Sequence, residues 1–220
     1  FGVKSLLKTG NLFGLQYIYG TLTNSGGEDP LDFESIVKNP ARYQVVATDA
    51  STGEARYFDK EEMRQDDYRQ IMASCAIPVA CRPVEIDGVA YYDGGIADAI
   101  PVEHTLEEGC DKVIVILSKP RDYVRKPQGM RPVYSRFCRR YPKIVEDIDQ
   151  RHITYTKTQK KVFELEKEGK AFVFAPSQHI KVGTYSMNEE TERELYDLGL
   201  QDYSKMKEQL QAFMERQNQK

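Results

Sequence analysis

The dipeptide Asp87-Gly88, set between the β-rich runs 84–86 and 89–92, constrains this chain more than any other feature. Two such residues close a hairpin through a type I′ turn, because both central positions need a positive φ that aspartate and glycine tolerate. The second strand runs directly into Asp93-Gly94-Gly95 and on to Ile100-Pro101-Val102. A carboxylate is thereby placed at the tip of a strand and followed by residues without side-chain bulk. In open α/β sheets, ligands bind at the carboxyl ends of strands. Two glycines there let backbone N–H groups approach the carboxylate or a substrate. This placement suits a general base, although Asp-Gly-Gly by itself is also ordinary turn chemistry.

Strand and helix signals alternate along the rest of the chain. Residues 31–37 read as a short helix stopped before Pro40, and 43–48 as a strand centred on Val45 and Val46. A turn over 49–53 leads to a returning strand at 55–58. Helical composition covers 61–75, with Met63, Tyr68, Ile71 and Met72 as the inner face. A short helix over 102–108 closes at Gly109, and the unbroken apolar run 113–117 predicts a strand covered on both faces. This order implies an α/β fold with a largely parallel sheet.

From Lys143 the character changes. Ile148, Tyr155 and Val162 recur every seven residues, a stripe fit to bury one helix face. Residues 171–175 give one more strand. Ser186 with Glu189 makes a capping box for a last helix to about 215, interrupted near Gly199. The expected division is a core over 1–142 and a helical extension with one strand over 143–220, packed on that core.

The formal net charge of -3 is too small to mark a general nucleic-acid or membrane binder. No apolar run is long enough to span a bilayer. Cys75, Cys81, Cys110 and Cys138 show no Cys-x-x-Cys spacing and read as buried or idle thiols of a reducing cytosol. The histidines lack metal-ligand spacing, and His104 with Glu108 reads as a solvated pair on one helical face. A cytoplasmic protein with no metal and no cofactor is expected. Residues 1–9 lack the pattern of a signal peptide, and an opening Phe1 rather than methionine suggests a start inside a longer protein.

The Ala73-Ser74 to Pro78 segment, the Asp87-Gly88 hairpin, Asp93-Gly94-Gly95, Pro101-Val102 and Glu108-Gly109-Cys110-Asp111 occur in the order and spacing of patatin-like phospholipases. The chain resembles the C-terminal part of that family, and the tail from Lys143 resembles the extension of a bacterial branch. The resemblance implies a patatin-like three-layer sheet with helices on both faces. It also implies a serine–aspartate dyad that cleaves lipid or other acyl esters without a histidine. Asp93 matches the family's base, and Gly94 and Gly95 match its motif partners. No serine here stands in Gly-x-Ser-x-Gly, and no Gly-x-Gly-x-x-Gly loop is present. In the family both precede a segment like 6–13, so this chain is expected to carry the base without nucleophile or oxyanion donors, and to be inactive alone. The alternative is a non-catalytic binding or regulatory module that keeps the fold. A nucleotide-binding protein is disfavoured by the missing phosphate loop.

Two partner expectations follow. If central strands lie outside the chain, the runs 43–48 and 113–117 become unpaired apolar edges, through which a homo-oligomer could form. The stretch 119–143 carries nine basic residues against Asp122, with Tyr123, Tyr134, Phe137 and Tyr141 interleaved. It suits weak contact with an anionic membrane surface. The competing reading, favoured by Pro120, Pro127, Pro132 and Pro142, is a connector whose arginines pair with acids elsewhere. Nothing else supports nucleic acid.

Overall fold

A computed structural model describes residues 10–180 and 188–215 of the chain. In order they form α1 (Leu15–Tyr17, passing into a π-type turn), α2 (Phe33–Lys38), β1 (Gln44–Asp49), β2 (Ala55–Asp59), α3 (Arg69–Ser74), β3 (Val84–Ile86) and β4 (Val89–Asp93). Then come α4 (Val102–Glu107), β5 (Val113–Ile116), α5 (Arg131–Phe137), α6 (Pro142–Lys167), β6 (Ala171–Phe174) and α7 (Glu189–Glu215). The fold is mixed α/β. Two units are distinguished, Phe1–Ile100 with Lys126–Tyr155, and Pro101–Arg125 with Thr156–Lys220.

Short turns decide the sheet of the first unit. Asp87 and Gly88 have φ of 51° and 82°, the type I′ geometry expected of them. A turn after Asp49, with Gly53 at φ 78°, joins β1 to β2. Two-residue and similarly tight connections force antiparallel neighbours. The sheet order is β2-β1-β4-β3, and every pair in it is antiparallel. The expected largely parallel sheet is thus corrected: parallel pairing among the described residues joins β5 and β6, which are separated by the long crossover that such pairing requires. The expected free edge at 43–48 is corrected too, since β1 has a partner on each side.

Alternation along β1 and β4 sorts their residues to two faces. Val45, Ala47 and Tyr91 bury against Tyr68 and Ala73 on the α3 side. Tyr92 faces the other way, onto Tyr134 and Cys138 of the α5 region and Ile144, Val145 and Ile148 of α6. Helices therefore cover both faces of this sheet. The helix expected over 61–75 is shorter than its composition indicates. Asp66 takes φ 63°, a left-handed conformation that ends any regular helix, and α3 begins at Arg69.

In the second unit, Val113, Val115, Ala171, Phe172 and Val173 of β5 and β6 are buried, and so are Val162 and Leu165 of α6. The Ile148–Tyr155–Val162 stripe is buried throughout, as its spacing predicts. Coverage of β5 on both faces is not found, because Ile114 and Ile116 remain 48% and 79% exposed. With Phe174, Leu198, Tyr203 and Leu210 they line an apolar hollow of about 410 Å³. Ser186 lies outside the described residues, and Asn188 accepts the Glu190 N–H at 3.0 Å at the start of α7. No break occurs at Gly199: α7 runs unbroken from Glu189 to Glu215, with Leu198, Asp202 and Phe213 as its buried contacts.

A methyl group at Gly199 would meet nothing within 4 Å. Gly199→Ala should therefore stabilise the protein by about 0.5–1 kcal/mol by lowering unfolded-chain entropy. Urea unfolding checks this, and a midpoint that falls would show that α7 is strained there.

Candidate active site at the end of β4

Asp93 is the last residue of β4, an interior strand, and is half-buried. Three contacts fix its backbone. Its N–H donates to Ala76 O at 3.0 Å, just beyond α3. Its carbonyl accepts the Thr48 hydroxyl at 2.8 Å and the Ile96 N–H at 3.2 Å. Thr48 is fully buried on β1, and the same hydroxyl oxygen accepts the Ala97 N–H at 3.2 Å. One side chain thus ties the strand tip to the turn that follows.

Gly94 is dictated by this crowding, while the close neighbours of Gly95 are side-chain atoms. A methyl group on Gly94 would lie 2.2 Å from Val46 O, so the turn can press onto β1 only without a side chain. One on Gly95 would lie 2.9 Å from an Arg151 nitrogen and 3.0 Å from Asp93 Oδ1. In its absence the Gly95 N–H donates to Asp93 Oδ1 at 2.7 Å. Arg151 of α6 donates from Nε to Gly95 O at 2.5 Å and backs the turn. Beyond it, Asp98 N–H reaches Gly94 O at 2.9 Å, and Asp98 Oδ2 accepts the Tyr57 hydroxyl at 2.6 Å. A carboxylate oriented by a fixed N–H can take a proton from a hydroxyl brought within about 2.6–3.2 Å.

Cys75 follows α3, and its Sγ lies 3.4 Å from the Tyr19 hydroxyl. Burial pushes this thiol above its ordinary range; the Tyr19 hydroxyl opposes the shift and the Asp93 charge adds to it. Cys75 is therefore a neutral thiol near the site, poorly suited to attack. All four cysteines are free. Ser25 is engaged elsewhere: its hydroxyl and N–H both reach the Asp66 carboxylate at 2.6 Å. Ser74 closes α3. His104 and Glu108 approach to 4.0 Å across one helical face. Among the described residues, no cluster of His, Cys, Asp and Glu could hold a metal ion, and no helix is long and apolar enough to cross a membrane. Thr48, Arg151 and Ala76 were not visible as site residues from the sequence, since each is remote in the chain from Asp93.

The model of patatin-like phospholipases matches residues 1–106, the segment that ends just beyond this turn. That match takes in just under half of the chain, and over it the sequence is similar to the patatin-like phospholipases. A second model, a domain of unknown function (DUF6363), matches 141–215. The uncharacterized protein YjjU of Escherichia coli K12 is 32% identical, over 46% of this chain and 33% of its own length. Uncharacterized NTE family proteins of Mycobacterium tuberculosis and Mycobacterium bovis are 33% identical, over 37% of this chain and 22% of theirs. The chain thus spans a third or less of the curated relatives it matches. The patatin-like domain contributes Asp93, its glycine turn and Thr48; Arg151 comes from the DUF6363 segment.

Thr48→Val should leave the Ala97 N–H without its acceptor and the Asp93 carbonyl short of a donor, costing about 1–3 kcal/mol in urea unfolding. Thr48→Ser, which keeps the hydroxyl, should cost less than half as much. Equal losses would show that methyl packing, not the hydroxyl, is what matters.

Proposed function

We propose that this chain is the base-bearing part of a patatin-like lipid acyl hydrolase, with Asp93 as general base of a serine–aspartate dyad. The observation that supports this most is the Gly95 N–H held on the Asp93 carboxylate at the tip of an interior strand. In the proposed reaction a serine hydroxyl attacks the acyl carbonyl carbon while Asp93 takes its proton. The proton then passes to the departing alcohol, and water releases the acyl group by the same route. The serine and the oxyanion donors lie outside these 220 residues, so the chain by itself is inert toward esters. Gly94 and Gly95 shape the base and do not react. No cofactor is needed for such chemistry.

The same reading divides the chain into a core over 1–142 and an extension over 143–220. It places the protein in the cytoplasm, which the four free cysteines favour. Contact with an anionic membrane surface through 119–143 belongs to it as well. So does association through the β5 edge, where Ile114 and Ile116 are exposed and β6 is the sole partner strand among the described residues.

The test is hydrolysis of p-nitrophenyl butyrate by this chain and by the longer protein that carries the upstream segment. The chain alone should show no turnover above buffer. The longer protein should turn over, and Asp93→Asn should lower kcat/KM by at least about a hundredfold with little change in stability. An inactive longer protein with its upstream serine replaced would support a non-catalytic module. Turnover by the short chain that survives Ser25→Ala and Ser74→Ala would contradict the proposal.

A further inference from the structure

The basic stretch 119–143 is not uniform in charge once its partners are known. Arg121 forms a bidentate pair with Glu166 at 2.5–2.7 Å and lies over the Phe163 ring. Arg131 pairs with Asp149 at 2.9 Å, and Lys143 with Glu146 at 2.7 Å. Lys119 sits over the Tyr123 ring. Arg121, Arg131 and Lys143 behave as the connector reading expects. Arg136, Arg139 and Arg140 do not: all are exposed, and among the described residues their guanidinium groups enter no ion pair or hydrogen bond. No acidic residue occurs from 126 to 143 to neutralise them.

The aromatic residues separate in the same way. Tyr134 is buried, and Tyr141 packs edge-on against Tyr92 with centroids 6.1 Å apart. Phe137, in the midst of the three arginines, is 63% exposed. Tyr134 and Cys138, four residues apart, anchor the inner side of α5 and its following turn in the core. Arg136, Phe137, Arg139 and Arg140 are what remains on the outside.

We propose that Arg136, Arg139 and Arg140, with Phe137 as an apolar anchor, form a docking patch for an anionic lipid surface. This rests on the membrane contact proposed above and narrows it from 25 residues to the turn after α5. Cations without local counterions pair with lipid headgroup phosphates, and a lone exposed phenylalanine gains by entering the acyl boundary. A nucleic-acid strand would need successive stacking platforms, and the neighbouring tyrosines are already occupied. The net charge of -3 leaves the protein without a general field for polyanions, so attraction has to come from local clusters of unpaired cations.

Flotation of the chain with vesicles of phosphatidylcholine, with or without phosphatidylglycerol, tests this without relying on hydrolysis. Wild type should float with anionic vesicles and remain behind with neutral ones. Arg136→Gln/Arg139→Gln/Arg140→Gln should weaken anionic binding about a hundredfold, at about fivefold per charge. Phe137→Ser should weaken it with all charges kept, and Lys119→Gln/Arg125→Gln/Lys126→Gln should retain it. Urea midpoints are expected to stay at the wild-type value, since none of the three arginines is paired. Wild-type flotation that the triple arginine variant preserves but the 119/125/126 variant loses would overturn the patch and leave the broader membrane contact standing. No flotation of wild type, or tight binding of a single-stranded oligonucleotide in place of vesicles, would overturn both and leave the hydrolase reading untouched.

Discussion

The Thr48 hydroxyl is the contact on which the candidate site depends. It is fully buried, donates to Asp93 O and accepts from Ala97 N–H. A buried hydroxyl that satisfies two backbone groups is costly to remove, because each group left unpaired keeps its desolvation penalty. Here it also has a directional role. By joining the end of β4 to the turn beyond it, Thr48 holds Gly94 against β1, and that approach brings the Gly95 N–H onto the carboxylate. Arg151 supports the turn from the outside through Gly95 O. The orientation of Asp93 is thus set by β1, β4 and α6 together.

Local chemistry made part of this legible beforehand. The Asp87-Gly88 turn, the strand before Asp93 and the two glycines after it all lie within a few residues, where turn type and period-two alternation act directly. The Ile148–Tyr155–Val162 stripe was legible for the same reason. Thr48, Arg151 and Ala76 were not. The Thr48 and Arg151 hydrogen bonds span 45, 49 and 56 residues, and a single threonine or arginine carries no mark of such a partner. The misread elements have physical causes as well. Residues 61–75 have helical composition, but Asp66 at positive φ divides them. The run at 113–117 is apolar throughout, and periodicity could not show that Ile114 and Ile116 point away from the packed side. Gly199 weakens a helix only modestly, and the burial of Leu198 and Phe213 on either side outweighs it.

Charge distribution follows the same logic of partners over composition. Nine basic residues in one stretch describe neither a connector nor a patch until each counterion is placed. Arg121, Arg131 and Lys143 are neutralised by carboxylates of α6. Those at 136, 139 and 140 are left exposed beside Phe137. The stretch therefore contains a tethered portion and a short solvent-facing cluster, in which three arginines, unpaired among the described residues, stand beside an exposed phenylalanine.

The proposed hydrolysis depends on whether the carboxylate at the tip of β4 activates a serine. Fluorophosphonate labelling of the longer protein, read by peptide mass spectrometry, measures that activation without needing the natural substrate. One adduct is expected, on a serine upstream of this chain, forming at least about a hundredfold more slowly in Asp93→Asn than in wild type. Labelling at the wild-type rate in that variant, or an adduct on Ser25 or Ser74, would contradict it.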